Sequence, residues 1–224
     1  IAHARSETLL LNILPASIAK RLKEHPDATI ADDYPSATVL FADLVGFTEM
    51  CTLLSPNETV DLLNRIYSHF DTLAEKYGLE KIKTIGDAYM VVGGVPVETD
   101  RHARSVGLFA LRLQEIAKSF SFEQGAISLR IGIHTGRLVA GVIGKKKFSY
   151  DVWGDTVNIA NRMESHGVPG KIHCSEAFHA QARADFDFTE RGEVDIKGKG
   201  KMRTYFLEKQ KPSAPPPGSS AKAG

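Results

Sequence analysis

The spacing of apolar and polar positions changes several times along this chain, and each change predicts a new element. Apolar residues recur every three or four positions in three stretches, which predicts amphipathic helices at 1–25, 55–78 and about 100–120. Short runs rich in β-branched and aromatic residues predict strands near 37–43, 81–93, 128–143, 171–174, 186–191 and 204–208. A short helix is expected after the fourth of these runs, at Ser175–Ala182.

Capping and turn residues place some boundaries more closely. Ser55 followed by Pro56 and Glu58 is typical of a helix start, with Ser55 as the N-cap. Gly86-Asp87, between two apolar runs, predicts a tight β-hairpin. Such a hairpin would bring its two strands together as neighbours in a sheet.

Two further turns are expected later in the chain. Thr135-Gly136 predicts a turn between two strands, Ser128–His134 and Arg137–Ile143. The stretch Tyr150–Met163 reads as a strand, a glycine turn and a helix, with Asp155 as the N-cap.

The order of these elements predicts an α+β fold. It fits a ferredoxin-like βαββαβ core with added strands, in which an antiparallel-rich sheet carries helices on one face. We divide the chain into an N-terminal helical segment (1–35, ending in the polar linker Asp32–Pro35), a main domain (36–210) and a disordered tail (211–224) rich in Pro, Ser, Ala and Gly. The N-terminal helix either packs on its own domain or serves as a short coiled-coil or signalling helix.

Composition narrows the classes of function only slightly. The chain has 224 residues, a charged fraction of 25% and a formal net charge of +1, so charge alone favours neither nucleic acid nor membrane binding. The basic run Lys145–Lys147 is short, and the histidines lack metal-ligand spacing. Cys51 and Cys174 are expected to be reduced, and no apolar run is long enough to span a bilayer. Because the chain begins with Ile1, we expect it to be a fragment or a processed piece.

Two aspartates stand at strand ends beside glycines. Asp43 lies in FADLVGFT after an apolar strand, and Asp87 lies in KIKTIGDAYMVVGG at the predicted hairpin. An isolated aspartate in a loop is usually a turn or cap residue. Two carboxylates on neighbouring strand ends, however, suit Mg²⁺, which prefers carboxylates together with phosphate oxygens.

These motifs, in this order, resemble the catalytic domain of class III nucleotidyl cyclases, and bacterial adenylyl cyclases in particular. The resemblance covers about Ser36 to Glu208 and implies the class III cyclase fold. It implies that Asp43 and Asp87 hold two Mg²⁺ or Mn²⁺ ions, assisted by the Leu44 carbonyl. The glycine loop Gly46-Phe47-Thr48 would approach phosphate, as anion-binding loops do.

The resemblance also implies residues that select the base. Lys83 would donate to adenine and Asp151 would accept from its 6-amino group. Guanine has the opposite polarity, so this pair indicates ATP rather than GTP. Taken alone, Lys83 would read as an exposed strand lysine.

The remaining site residues follow from the same resemblance. Asn158 and Arg162 lie four apart and share a helix face; they would orient the ribose and stabilise charge on the α-phosphate. Lys197, in a basic loop, and Arg137 would contact the triphosphate. By themselves, these residues would read as a helix surface and a solvated loop.

In this family the site lies between two catalytic domains. The resemblance implies a head-to-tail homodimer in which one protomer supplies the aspartates and Arg137 and the other supplies the remaining residues. We therefore expect a cytoplasmic adenylyl cyclase domain that makes cyclic AMP for signalling, without nucleic-acid or membrane contact of its own. An upstream segment could anchor the full-length protein in the cell membrane.

Three alternatives remain at this stage. The first is a guanylyl or dual-specificity cyclase, against which Lys83 and Asp151 argue. The second is a non-catalytic nucleotide-binding or dimerisation module, which would not need the aspartates and Arg162. The third is a palm-type polymerase, which would share the two-metal chemistry but would not need the Lys–Asp pair.

Overall fold

The computed structural model describes residues 10–11, 13–122, 125–144 and 147–212, which form a mixed sheet with helices on both of its faces. The strands are β1 Ala31–Val45, β2 Glu80–Ile85, β3 Ala88–Gly93, β4 Ser121–Phe122, β5 Gly125–Ala126, β6 Ser128–Ile143, β7 Ser149–Trp153, β8 Ile172–Ser175, β9 Phe186–Ile196 and β10 Gly200–Gln210. The helices are α1 Ala16–Glu24, α2 Phe47–Cys51, α3 Pro56–Lys76, α4 His102–Ser119, α5 Asp155–Ser165 and α6 Glu176–Ala182.

The centre of the main sheet is the predicted ferredoxin-like unit. The chain runs β1, α3, β2, β3, α4, β6, and these strands lie in the order β2-β3-β1-β6 with antiparallel neighbours. The sheet continues through β8, β10 and β9, while β7 pairs with β6. Among the strand pairs of the described residues, β6–β8 alone is parallel. The α+β fold class and the antiparallel-rich sheet are confirmed.

Helices cover both faces of the sheet, not one face as the sequence predicted. Alternate residues of β1 enter different cores, because successive strand residues point to opposite faces. Leu40 packs with α3, α4 and α6, whereas Phe41 belongs to a second core that includes residues of α1 and α5. The second face matters for function, because α5 brings the candidate site residues onto it.

The predicted signals at α3 and at the hairpin are confirmed. The Ser55 side chain accepts a hydrogen bond from the Glu58 N–H, and the Glu58 side chain accepts one from the Ser55 N–H. Gly86 has φ 62°, which is the left-handed conformation that a glycine adopts without steric cost. The hairpin turn therefore fixes β2 against β3 and carries Asp87 at its tip.

The structure corrects three local predictions. Thr135-Gly136 is no turn: β6 runs through it unbroken, because Thr135 pairs with Thr38 of β1 and their hydroxyls lie 2.7 Å apart. Residues 32–35 are no linker, since β1 starts at Ala31 and pairs with β6. Asp155 is the first helical residue of α5, where Gly154 is the N-cap without a side-chain hydrogen bond.

Helix α1 packs on its own domain. Leu14, Ile18 and Ala19 are buried in the second core, and Arg21 forms an ion pair with Asp32 of β1. Outside the described residues lie positions 1–9 of the predicted helix 1–25, the basic residues Lys145 and Lys146, and positions 213–224 of the predicted tail 211–224. Within the described ranges, no helix is both long and apolar enough to cross a membrane.

Candidate active site

The two predicted metal aspartates lie side by side at one end of the central strands. Asp43 pairs with Ala88 of β3, directly after the turn that carries Asp87. The Leu44 N–H donates to the Asp87 carbonyl oxygen across 3.3 Å, which ties the hairpin to the end of β1. The structure thus brings together residues 44 positions apart, as the paired motifs predicted.

The position of Asp43 disfavours the charged form of its carboxyl group. Its pKa is raised to about 6, first by burial and further by the charges of Asp87 and Glu164, while Arg130 opposes the rise. A carboxylate held near other carboxylates in a partly buried site favours a proton or a cation.

The glycine loop follows directly. Gly46 has φ 75° and is the N-cap of α2, so the chain turns sharply after β1. No side chain caps this helix, Phe47 is buried and Thr48 is exposed. The predicted phosphate-approaching loop is therefore a tight turn next to Asp43.

Arg130, an arginine that sequence reasoning missed, contacts Asp43 and a third carboxylate, Glu164. The Arg130 Nη2 donates to Asp43 Oδ2 across 2.9 Å, and its Nε donates to Glu164 Oε1 across 2.6 Å. Arg130 faces Asp43 in the β1–β6 register. The available signal was a charged residue between two apolar residues of a strand, Leu129 and Ile131, because a charge in such a setting requires a partner.

Arg137, the arginine that was predicted to share the side of the aspartates, does not lie beside them. It stands seven positions further along β6 than Arg130, roughly 23 Å away at the rise of an extended strand. Its side chain is exposed and donates to Asp33 across 2.7 Å. Arg137 is therefore too far along β6 to act beside Asp43, and Arg130 is the arginine of this strand that contacts Asp43.

Lys83 and Asp151, the predicted base-selecting pair, contact each other directly. Lys83 Nζ forms an ion pair with Asp151 Oδ2, and the other oxygen of Asp151 accepts from the Val152 N–H across 2.8 Å. A bulge between Lys81 and Lys83 interrupts the regular β2–β3 register just before Lys83. A fixed donor and a fixed acceptor are thus held as neighbours.

Helix α5 and the β9–β10 turn enclose a pocket of about 560 Å³. Asn158 and Arg162 line it from the helix, and Lys197 lines it from the turn. Lys199 Nζ lies 2.7 Å from Asp155 Oδ2, which links the turn to the start of α5. The structure therefore brings together three of the predicted substrate residues.

Asp43 and Asp87 would supply only part of the coordination of a cation. In the part of the chain that the structure describes, no group of three or more His, Cys, Asp or Glu residues forms a metal cage. A backbone carbonyl and substrate oxygens would have to complete the coordination, as is common in Mg²⁺ sites.

The Tyr67 hydroxyl is buried without a hydrogen-bond partner among the described residues. Burial raises its pKa, and the charges of Asp87 and Asp43 raise it further.

The comparisons with known proteins agree with this fold. The adenylate and guanylate cyclase catalytic domain family matches residues 30–209. An adenylate cyclase of Mycobacterium tuberculosis is 48% identical over 96% of this chain and 48% of its own length. Guanylate cyclase soluble subunit beta-2 of Homo sapiens is 47% identical over 92% of this chain and 34% of its own length.

A solved structure shows the same architecture. The guanylate cyclase domain of RhGC from Catenaria anguillulae, solved in complex with GTP, superimposes with a TM-score of 0.77 at 37% identity. That match covers 80% of this chain and 100% of the solved one. The chain itself spans about half the length of the mycobacterial relative, 48%, and about a third of the human one, 34%.

Fold and site together define a class III nucleotidyl cyclase domain. The chain belongs to the adenylate and guanylate cyclase catalytic domain family, as its motifs predicted. Its relatives include cyclases named for each of the two nucleotides, at nearly equal identity. Overall similarity therefore leaves the choice of base to particular residues.

Proposed function

We propose that this domain is an adenylyl cyclase, which converts ATP to 3′,5′-cyclic AMP and pyrophosphate. In that reaction the 3′-oxygen forms a bond to the α-phosphorus, the bond from this phosphorus to the pyrophosphate oxygen breaks, and the 3′-hydroxyl loses its proton. The observation that carries the proposal is the contact between Lys83 and Asp151.

The base preference follows from hydrogen-bond polarity. Adenine presents an acceptor at N1 and a donor at its 6-amino group, which match a lysine and an aspartate. Guanine presents the reverse, so both protein groups would lose their partners in the same pose. Sites built on hydrogen bonds reject a mismatched ligand by about 10⁴-fold, because buried polar groups are left unpaired. Asp151 is largely buried, with 12% of its side chain exposed, which favours such discrimination.

Asp43 and Asp87 are the proposed ligands of two Mg²⁺ or Mn²⁺ ions, with the Leu44 carbonyl as a further ligand. When bound, such ions lower the pKa of a coordinated hydroxyl and neutralise charge on the phosphates. The raised pKa of Asp43 supports this assignment, because a cation would relieve the repulsion among the carboxylates. The number of ions and their identity belong to the proposal.

Three side chains of the pocket would act on the ribose and the triphosphate. Asn158 would hold the ribose, and Arg162 would donate to the oxygens of the α-phosphate as negative charge develops there. Lys197 would reach the terminal phosphates from its turn. Arg130, which lies beside Asp43, would make the contact with the triphosphate that was expected of Arg137. The turn at Gly46 would let the backbone approach a phosphate.

We propose that a complete site needs two copies of the chain. The pocket around Arg162 is lined neither by Asp43 and Asp87 nor by Lys83 and Asp151, so the candidate site residues do not meet in one pocket of a single chain. A head-to-tail homodimer would bring the aspartates of one protomer to the pocket of the other and would form two equivalent sites. The domain would then use cytoplasmic ATP for signalling, and anchoring of a longer protein at the membrane remains a prediction.

The test is to incubate the purified chain with ATP or GTP and Mn²⁺ and to identify the cyclic product by mass. We expect cyclic AMP from ATP, and we expect Asp43→Ala and Asp87→Ala each to abolish it in folded protein. Asp187→Ala is the matched control, because Asp187 pairs with Lys209 at the β9–β10 edge and should leave turnover unchanged. Cyclic GMP as the main product would overturn the adenylyl assignment. Full turnover by the Asp43 variant would overturn the metal assignment.

A further inference from the structure

Arg130 is shared between two carboxylates that come from different elements. Its Nη2 contacts Asp43 at the end of β1, and its Nε contacts Glu164 near the end of α5. The Glu164 side chain is only 8% exposed, so its charge needs a partner in place. Of the two carboxylates, Glu164 is the one outside the proposed metal pair.

The position of Glu164 is fixed by close backbone packing. A Cβ added at Gly132 of β6 would lie 1.9 Å from the Glu164 nitrogen and 2.5 Å from its Cα. Helix α5 therefore rests directly on the strand that carries Arg130, two positions from it. Gly167 adds a second close approach, since a Cβ there would lie 2.9 Å from Arg130 Cγ. The geometry leaves Glu164 little freedom to move away from Arg130.

Charge balance gives this arrangement a consequence for cation binding. The Arg130 guanidinium donates to Glu164 Oε1 as well as to Asp43 Oδ2, so Arg130 has a second counter-charge besides Asp43. A divalent ion at Asp43 would compete with that guanidinium for the same oxygens. If Arg130 had Asp43 as its main counter-charge, the ion would have to break that pair. With Glu164 in place, Arg130 keeps a buried partner when Asp43 turns to the ion.

We propose that Glu164 is a positioning residue that holds Arg130 when Asp43 binds a divalent cation, and thereby sets the cation affinity of the site. The inference rests on the proposed metal role of Asp43. It assigns a role to a residue of α5 only two positions from Arg162. Helix α5 would thus carry both a phosphate contact, Arg162, and a residue that affects cation binding, Glu164.

The experiment measures Mn²⁺ binding directly, without nucleotide, from the electron paramagnetic resonance signal of free Mn²⁺. Glu164→Gln keeps an acceptor for Arg130 but removes the charge, and we expect the Mn²⁺ dissociation constant to rise about tenfold or more. Glu193→Gln is the matched control, because Glu193 forms an exposed pair with Lys201 on the β9–β10 edge. It should bind Mn²⁺ as wild type does. Unfolding curves would verify that each variant is folded.

A second arm shows whether Glu164 acts through Arg130. In an Arg130→Met background the competing cation is absent, so Glu164→Gln should change the Mn²⁺ dissociation constant by less than about twofold. The inference is overturned if Glu164→Gln binds Mn²⁺ as wild type does, or if its effect is equally large in the Arg130→Met background.

Asp43→Asn separates this inference from the proposal beneath it. If Asp43→Asn weakens Mn²⁺ binding and Glu164→Gln does not, the metal assignment stands and only the role of Glu164 is wrong. If Asp43→Asn binds Mn²⁺ as wild type does, the metal assignment and the inference both fall.

Discussion

Asp43 makes folding stability depend on pH in a direction that can be stated in advance. Its native pKa is about 6 against an ordinary value of 3.8, so the folded protein holds this proton more tightly than the unfolded chain does. The resulting stabilisation is complete at the lowest pH and is lost as pH rises through about 6. Relative to Asp43→Asn, metal-free wild type should lose at most about 3 kcal/mol of unfolding free energy between about pH 4 and pH 7.

Urea unfolding of both proteins in the presence of a chelator measures this difference. Saturating Mn²⁺ at neutral pH should narrow it, because the ion then replaces the proton as the positive charge at Asp43. Parallel pH profiles for wild type and Asp43→Asn would show that the carboxylate is not strained in the way described here.

The contact between Lys83 and Asp151 predicts a change of substrate preference. Lys83→Glu combined with Asp151→Cys should lower kcat/KM for ATP by about 10²-fold or more, since both hydrogen bonds to adenine are lost. Some GTP turnover is expected as well, although pocket shape also contributes to base choice. Stability should change little through the ion pair itself, because the Lys83 side chain is 41% exposed.

Kinetics with both nucleotides, on the double variant and on the Asp187→Ala control, measure this effect. If the double variant keeps wild-type kinetics with ATP, then Lys83 and Asp151 do not contact the base.

At the scale of single residues, motifs in the sequence predicted most of the site but not all of it. The aspartates stand out because each follows an apolar strand beside a glycine. Arg130 does not stand out, because its importance comes from the register that sets it opposite Asp43, 87 residues earlier. Arg137 was assigned a phosphate contact by resemblance to the cyclase family, and only the unbroken course of β6 shows how far it lies from Asp43.

Among the elements, the docking of α5 on β6 depends on Gly132. An alanine there would bring its Cβ into the backbone of Glu164, and backbone cannot move aside as a side-chain tip can. We expect Gly132→Ala to destabilise the fold by about 1–3 kcal/mol. It should also lower turnover in the protein that remains folded, because Asn158 and Arg162 lie on α5, the helix that would be displaced.

Gly107→Ala, in α4, is the control. Its added Cβ would lie 2.7 Å from ring atoms of Phe186, a side chain rather than backbone, in the core on the other side of the sheet. Chemical denaturation and turnover per folded protein report the two effects separately. An active and fully stable Gly132→Ala protein would contradict the described packing.

Elements defined by local chemistry were predictable, and elements defined by pairing were not. Ser55 and Gly86 specify a helix start and a turn through contacts within a few residues. Thr135-Gly136 has the composition of a turn, but its backbone groups pair with Ala37 and Thr38 across the sheet. The same partner strand draws residues 32–35 into β1, where their polarity alone suggested a linker.

For the whole molecule, the ferredoxin-like core followed from the order of elements, while the outer strands did not. A βαββαβ order with a hairpin between the helices leaves few ways to arrange four strands. By contrast, β8 pairs in parallel with β6, and β10 lies between β8 and β9, which no local pattern specified. The added strands matter because the turn between β9 and β10 carries Lys197 into the pocket.

The central claim is that one active site is built from two chains, and a mixing experiment tests it most directly. Asp43→Ala removes a metal ligand, and Arg162→Ala removes a phosphate contact from the pocket. Each homodimer then has two broken sites. In a mixed dimer one site has both lesions and the other has neither. Random pairing at equal concentrations makes about half of the dimers mixed, each with one intact site of two.

The measurement is cyclic AMP formation by each variant alone and by the mixture, after subunit exchange has been verified with differently tagged chains. Each variant alone should be inactive, and the mixture should recover about one quarter of wild-type activity, since half of the dimers have half of their sites intact. A mixture that exchanges subunits and yet stays as inactive as its components would contradict the shared site and would indicate that each chain holds a complete site of its own.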